Sequence, residues 1–338
     1  MKPDNKVLII TLLIIFLLIA SISIFFGAVF ISPPDVGSVF LSKVLGFFGV
    51  DEKVDIIVLQ IRLPRIILGA LIGLMLATSG TILQGTLRNP LADPFILGVS
   101  AGGAVGAALA MAFHLDFVFL GMSSAPLLAF LFAVISVFIV YRLSRVAGKT
   151  TPETLVLAGV AVSAFSAAVL SLIVIFSGNI QSIYFWLLGS LSGTGWLEVL
   201  TMLPYALIGF VVAYLYSKEL NAMLLGEETA KTLGVDVERV RVLLLIIASL
   251  LAAATVSVAG IIGFVGLIIP HFVRLIIGPN HRLLIPVAAI SGMILLVLAD
   301  AIARVIIAPT EIPIGVVMAI IGSPFFIYIL RRRRLTGR

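Results

Sequence analysis

Apolar runs of about 20 residues, the length that carries a helix across a bilayer, recur along this chain from Val7 to Leu330. Reading the runs against their breakers predicts ten spans, at 7–31, 62–84, 94–113, 123–141, 154–177, 197–216, 240–261, 262–277, 284–304 and 313–330. Pro33-Pro34, Asn89-Pro90, Asp93-Pro94, Gly278-Pro279 and Pro313 mark several ends, because proline lacks an amide donor and restricts the residue before it. The eighth run is short and contains Pro270, so a tilted, broken or partly inserted segment is expected there. Val7 to Ile31 is longer than a signal-peptide core of roughly 7–15 residues and is read as a retained helix.

Composition closes the other routes. Of 338 residues, 61% are hydrophobic and 11% charged, against roughly 45–50% and 25% in soluble proteins. So few charges cannot clothe a water-facing surface, and the expected fold is an all-α integral membrane protein forming a single domain over 1–338. Zero cysteines exclude disulfides, thiolate metal sites and a cysteine nucleophile. The net charge of +6 owes much to Arg331 to Arg334, a basic run directly after an apolar segment. That placement fits a membrane flank, not a nucleic-acid face.

Charge also predicts orientation, since loops on the cytoplasmic side hold the Lys/Arg excess. With the N-terminus inside, ten spans put 17 of the 22 basic residues on one side. Lys43, Lys53, Arg62, Arg65 and Arg304 fall on the other. Both termini are therefore expected in the cytoplasm. Gly-x-x-x-Gly pairs at Gly69/Gly73, Gly102/Gly106 and Gly189/Gly193 are read as close helix packing within the chain.

Catalytic spellings fail on context. Gly98-Val-Ser100-Ala-Gly102 matches a nucleophile elbow but lies in an apolar, glycine-rich span instead of a strand-turn-helix. Gly148-Lys149-Thr150 resembles the end of a phosphate loop, yet the earlier glycine is replaced by Leu143, so ATP is not expected to bind this chain by that motif. His114, His271 and His281 offer no paired metal spacing.

Two polar constellations remain. Leu220 to Arg241 interrupts two apolar spans on the predicted cytoplasmic side and has the composition of two short amphipathic helices. Glu227, Glu228 and Lys231 are spaced to share a face, and Gly234 is placed to end the first helix. On the outer side stand Arg62, Arg65, Asp300 and Arg304. Such charges are costly in lipid. They are read either as self-satisfied and snorkelling groups or as a positive rim that receives an acidic partner.

The stretches RLPR (62–65), SGTILQGTLRNPLADPFILGVSAGG (79–103), GEETAKTLGV (226–235), GIIGFVGLIIPHFVRLIIGPNHR (260–282), LADAIAR (298–304) and EIPIGVVMAIIGSPFFIYIL (311–330) resemble the FecCD-type permeases. These are membrane subunits of type II ABC importers for iron–siderophores, haem and cobalamin. The resemblance runs from about Gln60 to the C-terminus with the order of blocks intact. It implies a homodimer in the cytoplasmic membrane, with two ABC ATPase subunits beneath, which hold ATP and Mg, and one substrate-binding protein above. The permease itself would hold no cofactor and catalyse nothing. By the same resemblance, Leu225, Gly226, Glu227, Glu228, Ala230, Lys231, Leu233 and Gly234 would couple to the ATPase. Arg62, Arg65 and Arg304 would dock the binding protein, and Thr150, Thr151, Pro152, Glu153 and Thr154 would form the cytoplasmic gate region. Pro152 and Glu153 depart from the small polar residues expected in a cobalamin permease.

Two rival classes make different demands. An ion-driven secondary transporter needs mid-membrane Asp, Glu or His relays and broken helices in two halves, whereas Asp300 and Glu198 lie near span ends. An intramembrane hydrolase would have to pair Ser100 with His271.

Overall fold

The computed structural model describes residues 5–46, 51–119, 122–146 and 149–336, and most of them are helical. In chain order the helices are α1 (Asn5–Phe25), α2 (Pro33–Leu45), α3 (Glu52–Ile56), α4 (Leu63–Thr86), α5 (Val99–Ala112), α6 (Ser124–Ser144), α7 (Pro152–Phe176), α8 (Ile180–Leu187), α9 (Trp196–Leu215), α10 (Ser217–Leu224), α11 (Glu227–Thr232), α12 (Val237–Ala259), α13 (Val265–Ile277), α14 (His281–Val305) and α15 (Ile314–Thr336). Two-residue antiparallel strand pairs close the turns between α5 and α6 and between α6 and α7. Lys2 and Arg338, counted in the charge argument, lie outside the described residues.

Among the described residues, seven helical segments are long and apolar enough to cross a membrane. Val99–Ala112, Val265–Ile277 and Ile314–Ile327 are shorter apolar helices. Each of these ten helices overlaps one of the ten expected runs, seven of them at spanning length, and the eighth has the expected brevity. Two boundaries need correction. The first helix stops at Phe25 and not at Ile31, because the carbonyls at its end are handed to arginine side chains and Ser32 then caps α2. The second begins at Glu52, ten residues before the expected start, and runs 35 residues to Thr86. Its turn at Ile57–Arg62 is π-helical, and the wider turn makes room just before Pro64, whose ring cannot sit on a regular i−4 carbonyl.

Helix α4 is the axis of the bundle. It is buried along nearly all of its length and touches α9, α12, α13 and α14. One apolar core fills the space among those helices. A second, built by α5, α6, α7, α10 and α12, lies on the other flank of α12. Glycines set the spacing of the layers. A Cβ on Gly73 would stand 2.2 Å from the Gly292 carbonyl oxygen, and one on Gly106 would stand 2.1 Å from that of Leu128. Gly69/Gly73 and Gly102/Gly106 thus lie where the sequence puts them, on helices. Gly189 and Gly193 do not: both have positive φ in the loop between α8 and α9, so that pair serves turn geometry. Helices α1 and α7 keep most of their apolar surface outward, as lipid-facing helices do.

Candidate functional site: a water-side coupling segment and a buried arginine cluster

At the predicted cytoplasmic end two short helices do occur, but divided differently from the expectation: α10 precedes the stretch that Gly234 ends, Gly234 follows the second short helix α11, and 237–241 already belongs to the long α12. Each short helix is anchored by its apolar side. Leu220 and Met223 of α10 and Ala230 of α11 are buried. Gly226 (φ 112°) and Gly234 (φ 83°) bracket α11, conformations that side chains adopt badly. Leu225 and Leu233, at either end of α11, are 66% and 62% exposed. On the free face Lys231 pairs with Glu228 at 2.6 Å, and that hydrogen bond holds its ammonium above the ordinary amine range. A segment of this kind offers two leucines and a charged ridge to water. Within the predicted set Ala230 faces inward and holds the helix down.

Glu227 departs from the expected shared face with Lys231. It turns inward and accepts from Arg241, a residue of α12 that is only 4% exposed. Arg241 also donates to the Thr150 carbonyl at 2.9 Å and to Glu238 at 3.3 Å, and the Thr150 hydroxyl donates to the other Glu238 oxygen at 2.9 Å. Helix α11 and the Thr150–Thr154 turn, far apart in sequence, thus meet on one guanidinium. The turn is helix-start chemistry. Thr151 and Thr154 cap each other reciprocally, Pro152 occupies the first turn, and exposed Glu153 places negative charge at the helix N-terminus. That accounts for the two residues that depart from small polar types.

The sequence reading did not single out Arg241. Its signal was present: an arginine three residues after Glu238 at the mouth of an apolar span is spaced to fold back on it. Also missed was Gln84, which donates to the Gly266 and Leu267 carbonyls and accepts from Arg274 at 2.9 Å, joining α4 to α13.

The three outer-side arginines require a correction. Arg62, Arg65 and Arg304 are 5%, 7% and 3% exposed, so they form no free positive rim on this chain. Arg65 meets Asp300 at 2.9 Å and donates to both oxygens of Glu311 at 2.9 Å. Arg304 meets the other Asp300 oxygen at 3.0 Å, one helical turn away, and donates to the Phe26 carbonyl and the Ser23 hydroxyl. Arg62 donates to the Ile24 and Val29 carbonyls. The physical reason is direct: the end of α1 leaves carbonyls without helical partners and a partial negative charge, and cations satisfy both. The same groups avoid the cost of an unpaired charge in lipid. Snorkelling is not used by Arg62 or Arg65.

The buried carboxylate Asp300 is held between two arginines, so it does not supply the free proton relay that an ion-driven transporter needs. Among the described residues no group of three or more His, Asp or Glu is placed to hold a metal.

A bundle of long apolar helices with a short charged segment at one end has the build of a multi-pass membrane protein. The chain belongs to the FecCD transport family, whose model matches residues 12–332. The cobalamin import system permease protein BtuC of Halobacterium salinarum is 50% identical over 289 residues, covering 85% of this chain and 77% of that one. The hemin transport system permease protein HmuU of Yersinia pestis is 39% identical over 280 residues, covering 82% and 83%. The Fe(3+)-citrate import system permease protein YfmD of Bacillus subtilis is 39% identical over 283 residues, covering 84% of each. The fold matches an inward-facing conformation of a metal-chelate type ABC transporter with a TM-score of 0.83 and 32% identity, over 97% of this chain and all of that one. The chain is accordingly a permease component of an ABC importer and resides in a membrane.

Proposed function

We propose that two copies of this chain form the membrane pathway of an importer that carries a metal chelate inward, with cobalamin, haem and ferric chelates as the candidate cargo. A pair of ABC ATPases engages the α10–α11 segment from the cytoplasm and supplies the ATP and Mg chemistry. A substrate-binding protein delivers cargo on the outer side. The observation that carries this reading is the exposed ridge of α11, with Leu225, Glu228, Lys231 and Leu233 turned to water on an otherwise lipid-clad chain. Thr150 to Thr154 form the gate turn above it. On the outer side, Arg62, Arg65 and Arg304 shape the mouth by fixing α1 against α4 and α14.

The test is uptake into proteoliposomes containing the complete complex, offered cyanocobalamin, haemin, ferric citrate and a ferric hydroxamate in turn. One of them is expected to accumulate only with ATP inside and binding protein outside. Uptake driven by a proton or sodium gradient without ATP would overturn the reading.

Topology follows from the same proposal. The absence of native cysteine makes single-cysteine labelling clean. Lys53→Cys is expected to react with an impermeant reagent from outside, and Thr232→Cys only after the membrane is opened. Gly234→Val is expected to strain the turn after α11 by at least about 1–2 kcal/mol, the usual cost of a left-handed residue with a Cβ. Nothing lies within 4 Å of its Cβ, so the damage is confined to the backbone. The complex should assemble while ATP-driven uptake falls, and unchanged uptake would remove Gly234 from the coupling segment.

A further inference from the structure

Arg241 is a poor residue to place where it is unless its geometry is used. It is buried at the first turns of α12, yet its guanidinium reaches three separate pieces of chain: Glu227 on α11, Glu238 on its own helix and the Thr150 carbonyl just before α7. Each partner is fixed differently. Glu227 sits on the short helix whose outer face is exposed, and its side chain is 34% exposed. The Thr150 carbonyl belongs to the capped start of a 25-residue helix, α7, and Thr150 itself is fully buried. Glu238 closes the loop, since it accepts from Arg241 through one oxygen and from the Thr150 hydroxyl through the other. A planar, always charged fork with several donors suits such a three-way junction, and a lysine ammonium does not reproduce it.

The junction is mechanically distinctive. Helix α11 is six residues long and is bracketed by two positive-φ glycines, so it is set off from α10 and α12 by a turn at each end. Charge-assisted hydrogen bonds are the stiff elements in such a place, being shorter and roughly twice as strong as neutral ones. Displacement of α11 thus reaches α7 through Glu227, Arg241 and Thr150. We infer that Arg241 is a transmission residue, the polar tie by which movement of α11 is passed to the start of α7 at the gate turn.

This inference rests on the assignment of α11 as the ATPase-facing helix, and the experiment separates the two. In the complete reconstituted complex, an environment-sensitive dye is attached to Thr232→Cys in one preparation and to Glu153→Cys in another. Both positions are exposed. Mg-ATP is then added. With Arg241 present, both dyes are expected to respond. With Arg241→Gln, the dye on α11 should respond as before, while the response at 153 is lost or reduced at least about fivefold, the lower bound of a typical coupling energy. Arg241→Lys should restore the response only partly. A full response at 153 in the Arg241→Gln protein overturns the inference and leaves the coupling assignment standing. No response at 232 even with Arg241 present removes the coupling assignment itself.

Should Arg241→Gln not assemble, Glu227→Gln provides the second arm. It cuts the same tie at a partly exposed residue and is expected to lower the 153 response in the same direction. A fall in thermal stability with an intact 153 response would make Arg241 a structural residue and nothing more.

Discussion

Gly80→Ala should prevent this chain from reaching its native packing, although it adds a single methyl group to a helix. The Cβ would stand 1.9 Å from the Gly266 carbonyl oxygen and 2.7 Å from the Gly266 Cα. Both obstacles are backbone, so no side chain can rotate out of the way, and α4 and α13 must separate. Overpacking of a close-packed interior costs about 1–3 kcal/mol when side chains can adjust, so about 3 kcal/mol or more is expected where they cannot. Gly73→Ala and Gly292→Ala should act alike, because each added Cβ would meet the other glycine's carbonyl, at 2.2 and 2.3 Å. The built-in control is Gly37 on α2, which has ordinary φ and nothing within 4 Å of its Cβ. Gly37→Ala should be neutral or gain up to about 1 kcal/mol from helix propensity. Monodisperse yield and thermal midpoint in detergent read all four variants. Near-native behaviour of Gly80→Ala would mean that α4 and α13 do not approach as described.

These contacts also show why the sequence was legible to one depth and no further. Apolar length is a property of single segments, so helix positions could be read from it, and the polar interruption at 220–241 could be read as short helices though not with their true division. The glycine spacing at Gly69/Gly73 and Gly102/Gly106 announced close approach without naming the partner. Gly292 and Leu128 supply that partner from helices distant in the chain. The same spacing at Gly189/Gly193 misled, because spacing alone cannot tell a helix surface from a loop with positive φ.

Charged residues divide in the same way. Asp300 and Arg304 are one turn apart, and their mutual satisfaction was readable from i,i+4 geometry. The reach of Arg65 to Asp300 and Glu311, of Arg62 to the end of α1, and of Arg241 to Thr150 and Glu227 depends on tertiary proximity. No local pattern encodes that. Inferring a free rim from the count of Arg62, Arg65 and Arg304 overlooked the unsatisfied carbonyls at the end of α1, which compete for the same donors.

The Asp300 junction gives the second large effect. Asp300 is 2% exposed and holds Arg65 on one oxygen and Arg304 on the other, tying α4 to α14. Asp300→Ala leaves two guanidiniums buried with half their compensation, and breaking a buried pair in this way costs about 3–5 kcal/mol. Glu311 is the contrast. It contacts the same Arg65, but its side chain is 29% exposed, so solvent screens the interaction and Glu311→Gln should cost no more than about 1 kcal/mol. A compensated variant decides whether charge itself is needed. Asp300→Leu with Arg65→Met replaces both members of one ion pair by apolar groups, a kind of swap that is often neutral, while the part-exposed Glu311 loses its arginine to solvent. Arg304 would still lack its carboxylate while capping Phe26 and Ser23, so the double variant should recover only part of the loss. Adding Arg304→Met should then loosen α1, because the carbonyl of Phe26 and the hydroxyl of Ser23 lose their donor. Thermal midpoints of the four proteins, together with protease sensitivity of the segment after Phe25, measure this order. A wild-type midpoint for Asp300→Ala would show that the arginines reach water or headgroups and that Asp300 does not tie the helices.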